Sequence, residues 1–348
     1  MGCFFISEVL LKLALLLYPH QNIRYRPSLL QIAEGETKMI MNAMEVSFSL
    51  TREMIGGAQF LIIETEKEMS RGELAQIWQC ASMYMLFECV GEEMRPLPSM
   101  RLQYIGEDLP YLLKYKGKTN EMFTDSMITM GVCCSDFARV FDSQLIVCDP
   151  MAGKGTTPML AIKRGYHGVG IEIGKSNVEE VTGYMNRYFE FHKIKYKHQA
   201  TSLTVRGKNG GTQHKWVFSD SNAHFKDGDT RSFRMICGDT RNAMAYLKGN
   251  SVHLMVTDLP YGVQTGTAGK EDGLFATVSK ALPEWFACIK PGGTLCMSFN
   301  THTIRRDNLV SEGIRAGFTH VETGEMNHWV EQAIERDLIV LKKEGKKA

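Results

Sequence analysis

Hydrophobic and polar positions alternate in two different ways along the chain, and the change falls near Gly117. Before it the pattern is mixed. The opening stretch CFFISEVLLKLALLLYPH is apolar but interrupted by Glu8 and Lys12, with no basic residue ahead of it. It is shorter than the ~20 apolar residues that a membrane span needs, so an amphipathic helix packed on its own domain is expected. A loop follows around Tyr25, Arg26 and Pro27. QFLIIETE then predicts a buried strand over 59–66, and Ser70 caps a helix reading RGELAQIWQCASMYMLFECV, closed by MRPLPSMR. Residues 1–117 therefore read as a small α+β domain for substrate capture or structural support.

From residue 118 to 348 short apolar runs alternate with helical stretches. The helix TNEMFTDSMITMGVCCSDFA leads into the strand SQLIVCD, the turn PMAGKGTT and the helix PMLAIKRG. The strand HGVGIE, a helix over about 176–192, the strand FRMICGD, a further helix and the strand VHLMVTD follow. The helix ATVSKALPEWFACI, a PGG turn and the strand TLCMSF complete the series. Strands alternating with helices predict a doubly wound α/β domain with a mostly parallel sheet, whose ligands lie at the carboxyl ends of the strands. The excursion over about 193–234 is too long for a simple connection. HQATSLTVRG and HKWVFSD flank KNGGTQ, which predicts a β-hairpin insertion with a glycine turn. Its lysines and Arg206 make it locally basic, as suits either a solvated hairpin or an arm that touches phosphates.

Composition narrows this picture only slightly. In 348 residues, 40 Lys plus Arg face 39 Asp plus Glu, so no global field draws the chain onto phosphates and any nucleic-acid contact must be local. Nine cysteines, an odd number without a CxxC pair, sit mostly in apolar runs and read as small buried hydrophobes in a reducing, cytoplasmic setting. Ten scattered histidines offer no clustered ligand set, so no metal site is expected.

The candidate chemistry lies at the strand ends. LIVCDPMAGKGTT ends a buried strand in Asp149 and Pro150, then turns through Gly153 and Gly155 before a helix opens at Thr156, a loop that brings backbone close to a ligand. A triphosphate loop needs Gly-Lys followed by Ser or Thr, and a nicotinamide dinucleotide loop needs a third glycine; neither spacing is present. Glu172 ends the next strand, where an acidic residue reaches ribose hydroxyls, and Asp239 ends the third, where it can accept a hydrogen bond from an adenine amine. Carboxylates in that order suit a ligand with a sulfonium or amino charge, a ribose and an adenine, which is S-adenosyl-L-methionine. The fourth strand ends in TDLPYG. Exocyclic amines of bases are poor nucleophiles because their lone pair is delocalised into the ring. A carboxylate beside a backbone carbonyl can hold the amine hydrogens, and Asp258 with Leu259 would supply that pair. Pro260 stiffens the turn and Tyr261 offers a face for an extruded base.

DPMAGKGTT, GVGIE and DLPYG together resemble the amino-group methyltransferases of nucleic acids. The extension DLPYGVQTG and the closing HWVEQAIERDLIVLKK resemble the RNA methylases related to the tRNA guanine exocyclic-amine methyltransferases that carry a THUMP domain. The likeness covers about 116–343. It implies a Rossmann-like S-adenosylmethionine-dependent methyltransferase domain in which Asp149, Pro150, Gly153, Gly155 and Thr156 hold the methionine part, Glu172 the ribose and Asp239 the adenine. Asp258, Leu259, Pro260 and Tyr261 would hold the target base, and KGKTNEMF would bring Thr119 and Asn120 to the cofactor carboxylate. The glycine loop is closer to that of DNA amino-methyltransferases, and residues 1–117 show no THUMP pattern. The expected partner is accordingly RNA, most simply guanine in tRNA or rRNA. DNA adenine or cytosine is the alternative, and a non-catalytic cofactor- or RNA-binding module is the reading from a different class.

Overall fold

A computed structural model describes residues 11–20, 23–113, 120–205, 207–260, 273–324, 326–331 and 334–345. The first sheet is antiparallel and contains β1 (Leu11–Leu17), β2 (Phe48–Ile55), β3 (Ala58–Thr65), β4 (Met83–Val90) and β5 (Glu93–Pro96), with α1 (Arg26–Ala43) and α2 (Arg71–Ile77) between them. Its order is β2-β3-β1-β4-β5. The described part of the opening apolar run, LKLALLL, is thus a strand and not the expected helix. β1 pairs with β3 on one edge and β4 on the other, and Leu13, Ala14, Leu15 and Leu17 are buried. A strand enclosed on both faces reads as continuous apolar sequence, so burial overrides the helical preference of leucine.

Ser70 does cap α2: its hydroxyl accepts from the Glu73 N–H at 3.3 Å while the Glu73 carboxylate accepts from the Ser70 N–H at 2.8 Å. That helix ends at Ile77, however, and the expected continuation MYMLFECV is β4. The loop expected around Tyr25–Pro27 is instead a 3-10 turn, Ile23–Tyr25, running directly into a long helix, α1, with Pro27 in its first turn where a missing N–H costs nothing. α1 is buried on two faces. Ala33, Ile40 and Met41 join the core of the first sheet, whereas Leu29, Ile32 and Met39 pack with Phe123, Met127 and Ile128 of the second layer. Between them the Glu36 carboxylate accepts from Ala81 N and Ser126 Oγ, both at 2.9 Å, and burial raises its pKa.

The second sheet begins after α3 (Leu109–Leu112) and α4 (Glu121–Cys133). Its first half contains β6 (Ile146–Asp149), α5 (Thr156–Lys163), β7 (His167–Glu172), α6 (Lys175–Phe191), β8 (Tyr196–Val205), β9 (Lys208–Phe218), α7 (Asn222–Asp227) and β10 (Arg231–Cys237). α8 (Ala243–Tyr246), β11 (Val252–Asp258), α9 (Leu274–Cys288), β12 (Ile289–Asn300), α10 (Arg306–Arg315), β13 (Thr319–Val321), β14 (His328–Glu331) and β15 (Ile334–Lys342) complete it. The strand order is β13-β15-β12-β11-β6-β7-β10-β9-β8, with β14 paired to β15. β12, β11, β6, β7 and β10 run parallel, and β9 and β15 flank them antiparallel. The chain winds outward from β6 through β7 to β10, then returns to lay β11 on the other edge of β6. That reversal is the switch point at which doubly wound sheets open a crevice.

The hairpin insertion exists, but its first strand ends at Val205 and its second begins at Lys208, so KNGGTQ belongs to β9. The hairpin is no loose arm. β9 pairs with β10 from Arg231↔Phe218 to Cys237↔Thr212, and Trp216 and Phe218 are fully buried with Phe189 of α6. Among the described residues no helix is long and apolar enough to cross a membrane, and all eight described cysteines are free.

Candidate active site

Four carboxylates end neighbouring strands in the order Asp258 (β11), Asp149 (β6), Glu172 (β7) and Asp239, two residues past β10. Asp149 lies deepest. Its Oδ1 accepts from Met151 N at 3.0 Å and its Oδ2 from Thr157 Oγ1 at 2.7 Å. Burial pushes its pKa up to about 6; the two hydrogen bonds work against that rise and the Asp258 charge adds to it. The turn beyond it uses left-handed backbone at Gly153 (φ +51°) and at Gly155 (φ +78°), which starts α5. A Cβ on Gly153 would meet nothing within 4 Å, so the loop backbone borders open space there. The glycines of HGVGIE serve packing: a Cβ on Gly168 would stand 2.3 Å from the Pro158 carbonyl oxygen, so only glycine lets α5 approach β7.

Glu172 is wired into the same loop. Its Oε2 accepts from Gly153 N at 3.0 Å, and its Oε1 accepts from Gly174 N at 2.7 Å and Asn177 Nδ2 at 3.1 Å. Asp239 stands apart from this network. It is engaged by Arg241, whose NH2 lies 2.7 Å from Oδ2 and whose backbone N–H donates to Oδ1 at 2.9 Å. Partial burial opposes ionisation of Asp239, but the Arg241 guanidinium and amide hold its pKa below the usual carboxylate range.

On the other side of the switch point, β11 delivers Asp258 opposite Ser298 of β12. Ser298 Oγ donates to Asp258 Oδ1, and Arg336 NH2 donates to Oδ2 at 3.2 Å. The two charged side chains are only 8% and 3% exposed. The Leu259 side chain is buried and its N–H donates to the Ser298 carbonyl at 2.9 Å, which anchors the start of the turn into Pro260. Tyr261 and Thr119 lie outside the described residues. Asn120 caps α4, its Oδ1 accepting from Met122 N at 2.9 Å and Phe123 N at 3.2 Å, while its Nδ2 faces His20 Nε2 at 3.4 Å.

Sequence reading missed the groups around Asp258. The Arg336 guanidinium stacks over Phe123 at 4.5 Å, the Phe123 ring lies 5.0 Å from that of His328, and His328 lies 6.3 Å edge-on from Tyr25. A signal for part of this was present: the charged Arg336 and Asp337 directly precede the apolar run LIVL of β15. Each has a charged partner, Asp258 for Arg336 and Arg306, at 2.8 Å, for Asp337. Phe123, Tyr25 and His328 carry no such mark.

No family model matches the sequence, and no curated protein does either. Similar solved structures include an rRNA methyltransferase from Streptomyces viridochromogenes, with 11% identity over 69% of this chain and 91% of that one and a TM-score of 0.39. An rRNA methylase from Streptococcus thermophilus has 15% identity over 60% of this chain and 92% of that one, with a TM-score of 0.34. A TehB-like SAM-dependent methyltransferase from Corynebacterium glutamicum has 11% identity over 58% of this chain and 81% of that one, also with a TM-score of 0.34.

Proposed function

We propose that the chain is an S-adenosylmethionine-dependent methyltransferase acting on the exocyclic amino group of a base in RNA, with guanine in tRNA or rRNA as the first substrate class. The observation that carries this is the placement of Asp149 and Asp258 on adjacent parallel strands at the switch point, each followed within two residues by a proline. The residues fit the cofactor: the loop backbone at Gly153 borders open space, and buried Asp149 and the half-buried Glu172 stand beside it. Bound there, the cofactor supplies an electrophilic methyl group. Asp149 would offset its positive charge, Glu172 would share its oxygens with the ribose hydroxyls, and Asp239 would accept from the adenine once shared with Arg241. Asp258 and the Leu259 carbonyl would hold the target amine with its lone pair out of the ring plane. The first sheet, whose strands lie within Leu11–Pro96, would present the RNA. Incubation with labelled S-adenosylmethionine and separate pools of unmodified tRNA, rRNA and DNA, followed by nucleoside identification, tests this. Label in an exocyclic amine of an RNA nucleoside is expected; label confined to DNA, or binding of a nicotinamide dinucleotide in place of the cofactor, would overturn it.

A pH dependence follows from Asp149. Its pKa in the folded protein, about 6, is above the ordinary carboxylate value, so its contribution to stability is full below about pH 4 and is lost as pH rises through 6. Binding a cation runs the opposite way, because it needs the ionised form. Calorimetric titration should show cofactor affinity falling about tenfold between pH 7 and pH 5. Asp149→Asn should bind weakly with no such slope, and an equally steep slope in that variant would exclude Asp149 as its source.

A further inference from the structure

Two buried polar atoms near Asp258 lack partners among the described residues. Tyr25, at the entry to α1, is 5% exposed, and His328, on β14, is 4% exposed. Among the described residues neither Tyr25 Oη nor His328 Nε2 finds a hydrogen-bond partner. An orphaned buried donor or acceptor is costly to keep, and two in ring contact are a feature to be explained. Packing alone would be served by Phe at both positions.

Their hydrogen-bonding sense is fixed by their surroundings. His328 Nδ1 lies 3.0 Å from the Met326 carbonyl, which can only accept, so Nδ1 carries the proton. Burial lowers the His328 pKa, keeping the ring neutral against the pull of the Met326 carbonyl, Asp258 and Asp337. Nε2 is then a bare acceptor. Burial pushes the Tyr25 hydroxyl up to about 12, the nearby Arg336 opposing and Asp258 adding, so Tyr25 stays a protonated donor. Asp258 itself only accepts.

We infer that Tyr25 and His328 are the specificity-determining residues of the base site, reading the edge of the target next to the amine held by Asp258. This rests on the amine-methyltransferase reading above. The set offers two acceptors, Asp258 and His328, and one donor, Tyr25. Guanine presents a 2-amino donor, an N1–H donor and an O6 acceptor in that order, which complements the set. Adenine presents an amine beside an N1 acceptor, and cytosine an amine beside an N3 acceptor; either would set a lone pair against His328 Nε2. Sites that satisfy buried polar groups through the correct substrate reject analogues that leave them unpaired. The arrangement also joins the two ends of the chain in one task. Ser28 Oγ donates to the Trp329 carbonyl at 2.9 Å, and a Cβ on Gly35 would strike Met326 Sδ at 2.5 Å, so α1 is seated directly on the segment that carries His328.

The test uses the full chain, labelled S-adenosylmethionine and unmodified RNA transcripts. N2-methylated guanosine is the expected product. N6-methyladenosine or N4-methylcytidine would overturn the inference while leaving amine methylation standing, and no methylated exocyclic amine at all would overturn both. At the site so identified, synthetic RNA carrying guanine or 2-aminopurine, which keeps the 2-amino group but lacks N1–H and O6, is then compared in single turnovers. Wild type should favour guanine by a hundredfold or more. Tyr25→Phe and His328→Phe should each lower that ratio about tenfold, with His328→Gln restoring part of it through its amide oxygen. Thermal melting and cofactor titration establish that each variant is folded. Guanine and 2-aminopurine rates that fall in parallel would mark the two residues as structural and overturn the assignment.

Discussion

Asp258→Asn should slow single-turnover methyl transfer by a factor of hundreds while leaving cofactor affinity close to wild type. The substitution keeps the shape of the side chain but replaces one acceptor oxygen with an N–H donor. In the structure one carboxylate oxygen already accepts from Ser298 and the other from Arg336, so the amide would retain one of these bonds and present its donor toward the other or toward the substrate. The target amine then meets a donor where it needs an acceptor. Loss of a preorganised partner at a reacting centre costs about 3–4 kcal/mol, which is the factor of hundreds expected. Cofactor affinity serves as the control, because Asp149, Glu172 and the glycine loop lie across the switch point from Asp258. A variant that transfers methyl at the wild-type rate would remove Asp258 from the mechanism.

The parts of this site that were legible in sequence are those written into short stretches of chain. A parallel strand buried on both faces must be apolar and end at a turn, so IVCD, HGVGIE and VHLMVTD announce both themselves and their terminal acids. The same rule explains the principal error. LKLALLL is a strand buried on both faces, but leucine-rich sequence carries no period that separates it from a helix. α1 escaped notice because its two buried faces give the weak periodicity of a helix enclosed on both sides, with Gly35 and Glu36 at positions set by Met326, Ala81 and Ser126 far away in sequence. Apart from Arg336, whose charge marks it in β15, the groups around Asp258 were illegible for the same reason. Ser298, Arg336, His328 and Tyr25 come from β12, the β14–β15 hairpin and the start of α1, and no local spacing records that they meet.

Arg336→Met should destabilise the fold by about 3–5 kcal/mol and abolish methyl transfer, and pairing it with Asp258→Asn should recover most of the stability but none of the activity. Arg336 and Asp258 are both nearly excluded from water, so removing the guanidinium strands a buried carboxylate, which is the costly way to break such a pair. Methionine is chosen because the stem of Arg336 also covers the face of Phe123, and a flexible thioether keeps most of that packing. In the double variant neither charge remains, the Ser298 hydroxyl can still bond the amide, and the desolvation cost of both ions disappears. The coupling between the two sites should therefore be large, whereas two residues that merely packed nearby would give additive losses. The functional reading adds a demand that stability alone does not make. If Asp258 is present to hold an amine, the recovered double variant must stay inactive even though it is folded and binds cofactor. Thermal or urea unfolding of the four proteins in the cycle, with single-turnover transfer on each, separates the two roles. Additive stability changes would dissolve the ion pair as a unit, and a double variant that methylates at the wild-type rate would leave the pair as structure and nothing more.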